Sequence, residues 1–124
     1  MRVDIITIFP KMFAPVLNES IIRRAQQKNK VKICIHDLRD YTLDKHRKVD
    51  DRPFGGGSGM VMCAQPIFSA VAQIKSKGKS QKAKVILLSP QGETLRQKLA
   101  KKLAREKHLI LICGHYEGID ERVR

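Results

Sequence analysis

Two glycine-bearing turns carry the residue types from which a binding site could be built. Residues 89–92 (Ser-Pro-Gln-Gly) follow the apolar run 85–88, and residues 114–118 (Gly-His-Tyr-Glu-Gly) follow the apolar run 109–113. Short apolar runs bounded by turn residues are typical of strands buried in a parallel sheet, and α/β folds bind ligands where such strands end. We therefore expect the two turns to lie at one edge of a sheet and to form a ligand site.

The second turn offers the more varied chemistry. The ring of Tyr116 can stack on a base or on a cofactor ring, and the carboxylate of Glu117 can accept a hydrogen bond from a ribose hydroxyl or an amino group. Asp120 and Glu121 have a simpler explanation as the acidic first turn of a helix. That explanation leaves the Gly-x-Tyr-x-Gly pattern unaccounted for, which favours a binding role for the turn.

A third candidate is the segment 52–60 (Arg-Pro-Phe-Gly-Gly-Gly-Ser-Gly-Met), called the glycine loop below, which follows Asp50 and Asp51. Its glycines expose backbone N–H groups, so the loop can surround a phosphate or let a nucleotide approach the main chain. The alternative is a flexible tether, which the specific flanking residues disfavour. The loop does not match the phosphate-binding P-loop, because no Gly-Lys-Ser follows it.

The charge balance points to a polyanionic partner. Lysine and arginine total 25 against 12 aspartate and glutamate residues, which gives a net charge of +13. Nucleic acid is the first candidate and an anionic membrane surface the second, while solubility or an organism-wide basic bias is a third explanation. No apolar run approaches the length of a membrane span and no signal-peptide core follows Met1, so we expect no segment that enters a membrane.

Neither a metal site nor an acyl-transfer site is expected from the histidines and cysteines. The four histidines show no ligand spacing with one another or with the cysteines, and no Ser/His/Asp signature is present. The number of cysteines is odd and none forms a C-x-x-C pair, which is typical of reduced thiols in a cytosolic protein. The cysteines are Cys34, Cys63 and Cys113.

Hydrophobic periodicity predicts one α/β domain with a parallel sheet and helices on both faces. Strands are expected at residues 3–9, 31–36, 85–88 and 109–113. A helix capped by Ser20 and one from Pro66 to Gly78 are expected, and a third follows the capping-box pattern of Thr94 and Gln97. Residues 38–59 show no periodicity, and a segment of that length is expected to be a functional or a disordered loop.

Four blocks together resemble the bacterial tRNA (guanine-N1)-methyltransferases, which modify the guanine at position 37, 3′ of the anticodon. The matching blocks occur in the family's order and spacing along the whole chain: 8–13, 44–60, 88–92 and 113–122. The resemblance implies a SPOUT-type α/β knot fold, with a deep trefoil knot that holds S-adenosylmethionine in a bent form. It also implies methylation of N1 of that guanine, with the enzyme aligning the donor methyl group and a carboxylate removing the N1 proton.

The resemblance assigns site residues by position. The S-adenosylmethionine pocket would be lined by Ser89, Pro90, Gly114, Tyr116, Glu117 and Gly118. The target guanine and its neighbour would be met by Asp50, Asp51, Gly55, Gly56, Gly57 and Gly59. The basic surface would contact tRNA phosphates, and family members act as cytoplasmic homodimers with each active site built from both subunits. Magnesium is a reported requirement of the family's reaction, and no residue here is assigned to it.

Family members extend well beyond this length. The resemblance implies that residues 1–124 form the N-terminal SPOUT methyltransferase domain, incomplete at its C-terminus. The rest of the knot, a linker and a helical C-terminal domain would follow Arg124. The family's proposed general base, an aspartate, would lie in that later part, so no catalytic residue is assigned here.

Three hypotheses remain open for the short chain. It is an N-terminal portion that is inactive alone, one half of a split enzyme, or a non-catalytic RNA-binding remnant. Because one wall of the pocket would be missing, we expect weak or no S-adenosylmethionine binding by this chain alone. We also expect the last strand, residues 109–113, to lie at an exposed edge of the sheet.

Overall fold

The computed structural model describes residues 1–53, 55–77 and 82–123. Short 3₁₀ helices cover Pro10–Met12, Leu38–Tyr41 and Glu121–Val123. The strands are β1 (Arg2–Thr7), β2 (Lys32–Asp37), β3 (Asp50–Asp51), β4 (Val61–Met62), β5 (Lys84–Leu88), β6 (His108–Cys113) and β7 (Gly118–Ile119). The helices are α1 (Ala14–Leu17), α2 (Ser20–Gln27), α3 (Ala64–Lys77) and α4 (Gln97–Leu103).

The main sheet contains four parallel strands in the order β2-β1-β6-β5, which confirms the predicted α/β fold. Ile5 of β1 is in register with Ile35 of β2 on one side and with Leu111 of β6 on the other. The prediction that the last long strand lies at an edge is wrong, because β6 pairs with both β1 and β5. An apolar six-residue strand gains most when both of its neighbours are strands, and the edge positions belong to β2 and β5, whose residues are less buried than those of β6.

The core lies on one face of this sheet. Ile67, Ala70 and Ile74 of α3 are buried against Ile6 of β1 and Ile110 of β6. Val71, predicted on the same helical face, is partly buried against that cluster. The 3.6-residue period of α3 therefore identified its buried face, although Gly78, the expected end of the helix, lies outside the described residues.

The other face is covered less completely. Leu99 and Leu103 of α4 and residues of β5 and β6 line a cavity of about 630 Å³. The predicted capping box is wrong, because α4 begins only at Gln97 and its N-cap, Arg96, makes no side-chain cap bond. The backbone is still extended at Arg96, so Thr94 lies too early to reach the first helical N–H groups.

The start of α2 also differs from the prediction. Ser20 is the first residue of α2, and Glu19 is its N-cap without a side-chain cap bond, so the predicted Ser20 cap is wrong.

Among the described residues, no helix is both long and apolar enough to cross a bilayer.

A second, small sheet of three strands connects the predicted site segments. Asp50 of β3 is in antiparallel register with Met62 of β4, and Val61 of β4 is in parallel register with Gly118 of β7. Residues 38–59, expected to be a functional or a disordered loop, therefore contain both a 3₁₀ helix and strand β3. This small sheet joins the residues before the glycine loop, those after it, and the second glycine-bearing turn.

Candidate functional site

The two predicted turns enclose one cleft of about 360 Å³. They lie together because Leu88 and Cys113 are in register in adjacent parallel strands, so both chains leave the sheet at the same edge. The cleft is lined by all six residues predicted to contact a cofactor: Ser89, Pro90, Gly114, Tyr116, Glu117 and Gly118. The fold thus brings residues that are about 25 positions apart in the chain onto one concave surface, at the sheet edge where the sequence predicted the two turns to meet.

The first turn is tight because its backbone closes on Ser89. The Gly92 N–H donates to the Ser89 carbonyl oxygen at 3.1 Å, and the Gln91 N–H donates to Ser89 Oγ at 3.2 Å. A Cβ at Gly92 would lie 3.3 Å from the same carbonyl oxygen, which is closer than most side chains tolerate. Pro90 restricts φ in the middle of the turn, so this wall of the cleft is largely preformed.

The second turn folds back on its own strand and holds Tyr116 in an uncommon conformation. A Cβ at Gly114 would lie 3.1 Å from Cδ1 of Ile119, so this position has little room for a side chain. Tyr116 has a φ of 62°, in the left-handed region that side chains other than glycine rarely adopt. Strain of this kind at the lining of a cleft is typical of a functional site rather than of a simple connector.

Aromatic contacts support this second turn. The His115 ring packs edge-on against Tyr116 and against Phe9, with ring centroids 4.7 Å and 4.9 Å apart. The His115 N–H donates to Sδ of Met62 at 3.2 Å, which attaches the turn to β4. The His115 side chain therefore has a packing role, and the adjacent Tyr116 ring remains 38% exposed at the cleft.

A second cavity, of about 650 Å³, shares a wall with the cleft. Gln91, Glu117, Gly118 and Ile119 line both. Asp51, one of the residues predicted to meet the target base, lines this second cavity. A ligand in the cleft and a second molecule in the neighbouring cavity would therefore be separated only by the second turn and Gln91.

Asp50, also predicted at the substrate, lies beside Tyr116. Burial raises the pKa of the Tyr116 hydroxyl, and its hydrogen bond to the Asp50 carboxylate together with the charge of Asp50 raises it further. The raised pKa keeps the phenol protonated at neutral pH, and the interaction places Tyr116 of the second turn near Asp50 of β3.

The four predicted glycines lie on the exposed glycine loop and are not among the described residues that line either cavity. Side chains at Gly55, Gly56 and Gly57 would meet nothing within 4 Å, whereas a Cβ at Gly59 would collide with the carboxylate of Glu117. Phe54, within the same loop, lies outside the described residues. Gly55, Gly56 and Gly57 are therefore open to a partner, whereas Gly59 lies against Glu117 of the second turn.

Two ionisable groups of the second cavity, Asp120 and Cys63, are poorly suited to proton transfer or nucleophilic attack. Asp120 accepts hydrogen bonds from Nη2 and Nε of Arg122 at 2.6 Å and 3.0 Å, and this pairing lowers the pKa of Asp120 to about 2. Burial, followed by the charge of Asp51, raises the pKa of the Cys63 thiol, so that the thiol remains protonated. Asp120 is thus a weak base.

Sequence reasoning left several residues that line these cavities unassigned, among them Gln91, Cys63 and Arg122. Gln91 lines both, and Cys63 and Arg122 line the second. Gln91 could have been found from its place inside the first predicted turn. Cys63 and Arg122 carried no such signal, because their positions depend on the pairing of β4 with β7.

Metal ligation finds no support in the part of the chain that the structure describes. No group of three or more histidine, cysteine, aspartate or glutamate side chains there is arranged to hold a metal ion. Cys34, Cys63 and Cys113 are all unpaired and partly buried.

Comparisons with known proteins converge on one family. The family model described as tRNA (Guanine-1)-methyltransferase TrmD matches residues 1–124. The tRNA (guanine-N(1)-)-methyltransferase of Moorella thermoacetica is 56% identical over 124 residues, which cover 100% of this chain and 50% of the relative. The corresponding protein of Ruminiclostridium cellulolyticum is 55% identical over 123 residues, covering 99% of this chain and 52% of the relative.

A solved structure shows the same architecture. The crystal structure of tRNA (m1G37) methyltransferase from Aquifex aeolicus superposes with a TM-score of 0.89 at 36% sequence identity. The match covers 99% of this chain and 55% of that chain. The chain thus spans about half the length of the curated relatives that it matches.

Proposed function

Because the chain belongs to the tRNA (guanine-1)-methyltransferase TrmD family, we propose that it supplies the cofactor-binding half of a tRNA methyltransferase. The reaction is transfer of a methyl group from S-adenosylmethionine to N1 of guanine 37, 3′ of the tRNA anticodon. The observation that carries this proposal is the convergence of six family-predicted residues around one 360 Å³ cleft. Residues 1–124 would be the N-terminal SPOUT-type domain of that enzyme.

The cleft suits S-adenosylmethionine in size and in chemistry. Its volume lies within the range of small-molecule sites, about 300–1,000 Å³. The partly exposed Tyr116 ring can stack on adenine, and the two turns offer backbone groups for hydrogen bonds to the ribose and the amino acid part. When bound, S-adenosylmethionine supplies the methyl group. The residues of the chain bind it, orient it and exclude water from it.

We propose that the glycine loop and its preceding carboxylates face the target guanine and its neighbour. The residues concerned are Asp50, Asp51, Gly55, Gly56, Gly57 and Gly59. The position of Asp51 in the cavity next to the cleft supports this arrangement. N1 of guanine is protonated at neutral pH, so the reaction needs a base. Asp120 is paired with Arg122 and Asp50 with Tyr116, and we therefore assign the base to neither.

The partners follow from charge and from the family. A net charge of +13 favours contacts with tRNA phosphates, and we propose that the complete enzyme is a homodimer, as in the family. A cytoplasmic location is supported by the tRNA substrate and by the three unpaired cysteines. The described residues offer no fitting cluster for Mg²⁺, so no step is assigned to that ion.

A methyl-transfer assay tests the proposal. The purified chain is incubated with labelled S-adenosylmethionine and a tRNA transcript that carries guanine at position 37, with adenine at that position as the control substrate. We expect no incorporation by the chain alone and incorporation at guanine 37 once the C-terminal half of the Moorella thermoacetica relative is added.

The two halves of the relative, mixed in the same way, are the matched control. Activity of that control without activity of the mixed pair would contradict the proposal. Tight tRNA binding by the inactive chain would then favour the RNA-binding alternative.

A further inference from the structure

We propose that Glu117 is a positioning residue that holds the C-terminal end of the glycine loop at Met60, so that the turn lining the cleft also positions the loop. This inference rests on the proposed function, because it extends the role of Glu117 beyond contact with the cofactor. It concerns Gly59, Met60 and Glu117.

Glu117 binds the far end of the loop through both its backbone and its side chain. Oε2 of Glu117 accepts a hydrogen bond from the Met60 N–H at 2.8 Å, and the Glu117 N–H donates to the Met60 carbonyl oxygen at 3.3 Å. A hydrogen bond to a charged acceptor is stronger than one between neutral groups. The two residues are 57 positions apart, so this contact fixes where the loop ends relative to the cleft.

The absence of a side chain at Gly59 leaves the space that the Glu117 carboxylate occupies. A Cβ at Gly59 would overlap Cδ and both carboxylate oxygens of Glu117. The φ of Gly59 is +93°, which turns the backbone so that the next N–H reaches the carboxylate. The carboxylate and the glycine therefore fit each other as a pair.

Amide hydrogen exchange in the 124-residue chain tests the contact to Met60. We compare wild type with Glu117→Gln and Glu117→Ala. The glutamine retains a side-chain oxygen that can accept from the Met60 N–H, whereas alanine removes the acceptor. The internal control is the Cys63 N–H, which donates to the Val49 carbonyl oxygen at 2.8 Å directly beside the small sheet, in a hydrogen bond that does not involve Glu117.

We expect protection of the Met60 amide to fall about tenfold or more in Glu117→Ala and by less than about threefold in Glu117→Gln. Protection of Cys63 should stay within about threefold in both. Equal losses at Met60 and Cys63 in Glu117→Ala would show general loosening and would overturn the proposal. Unchanged Met60 protection in Glu117→Ala, or equal losses in Glu117→Gln and Glu117→Ala, would also overturn it.

A titration of the wild-type chain with S-adenosylhomocysteine separates this inference from the proposed function. If saturable shifts fall away from Ser89 and Gly92 while Met60 behaves as expected, the proposed cofactor site fails and the positioning contact stands. If those amides shift and Met60 protection is insensitive to Glu117→Ala, the positioning role fails and the cofactor site stands.

Discussion

Asp4 in β1 accepts a hydrogen bond from Nε2 of His108 in β6 at 2.6 Å, although 104 residues separate them in the chain. The Asp4 side chain is fully buried, and it also accepts from Nε2 of His36 at 2.7 Å and from Nε of Arg2 at 2.6 Å. These contacts join β2, β1 and β6 on the face of the sheet that carries the core. Burying a charged carboxylate costs free energy, and each of these hydrogen bonds offsets part of that cost for Asp4.

Asp4→Asn should destabilise the fold by about 3 kcal/mol, because it removes the charge around which the buried donors are arranged. Urea denaturation measures the free energy of unfolding. Asp40→Asn is the control, since Asp40 is largely exposed and is paired with Arg47 at the surface. That change should cost less than about 1 kcal/mol. Equal costs for the two variants would contradict the importance of the Asp4 network.

The same network predicts a loss of stability in acid. Burial alone would raise the pKa of Asp4, but the hydrogen bonds from Arg2, His36 and His108 outweigh it and lower the pKa below the ordinary 3.8. The stabilisation is therefore fully present above about pH 4 and is lost as the pH falls below 3.8 towards the folded-state pKa.

Denaturation of wild type and Asp4→Asn across this range provides the check. The difference in unfolding free energy between them should be largest above pH 4 and should shrink below 3.8. A difference that grows on acidification would mean that the pKa of Asp4 is raised rather than lowered.

Gly114→Ala should destabilise the second turn by about 1–3 kcal/mol, because the added methyl group would press on Ile119 in a packed region. Gly118→Ala is the matched control at the other end of the turn, where a Cβ would meet nothing within 4 Å. Its effect on the free energy of unfolding should be less than about 1 kcal/mol. Similar costs at both positions would show that the room around Gly114 is not limiting.

Asp50→Asn should lower the pKa of Tyr116, because the substitution removes the charge and the ionised acceptor that hold the phenol protonated. The pKa of Tyr116 should still stay above the ordinary tyrosine value, since burial is the largest cause of its increase. Titration of ¹³C-labelled tyrosine by NMR resolves Tyr116 from Tyr41, whose pKa serves as the reference in each variant. An unchanged pKa of Tyr116 would contradict its contact with Asp50.

The parts of the fold with strong local patterns were predictable from the sequence. The apolar runs gave β5 and β6 within one residue, and the spacing of Ile67 and Ile74 gave the buried face of α3. The edge of the sheet at which the turns lie followed from the rule that parallel strands end together. These features depend on local composition and on one general property of parallel sheets.

The parts that depend on distant pairing were not predictable. Strands of two residues, such as β3 and β7, are too short to show an alternating pattern, so the small sheet was invisible in the sequence. The central position of β6 depends on its pairing with β1, which lies about 100 residues earlier. The Thr94 pattern failed because a capping box marks only a possible helix start, and here the chain remains extended to Arg96.

The most direct test of the central claim is an NMR titration of the ¹⁵N-labelled chain with S-adenosylhomocysteine up to millimolar concentrations, at which weak binding remains detectable. We predict that amide shifts concentrate in residues 89–92 and 114–118, the two turns that line the cleft. Residues 31–33, at the opposite edge of the main sheet where β2 begins in register with the start of β1, should not shift. Saturable shifts elsewhere, with none in the two turns, would contradict the assignment of this cleft to the methyl donor.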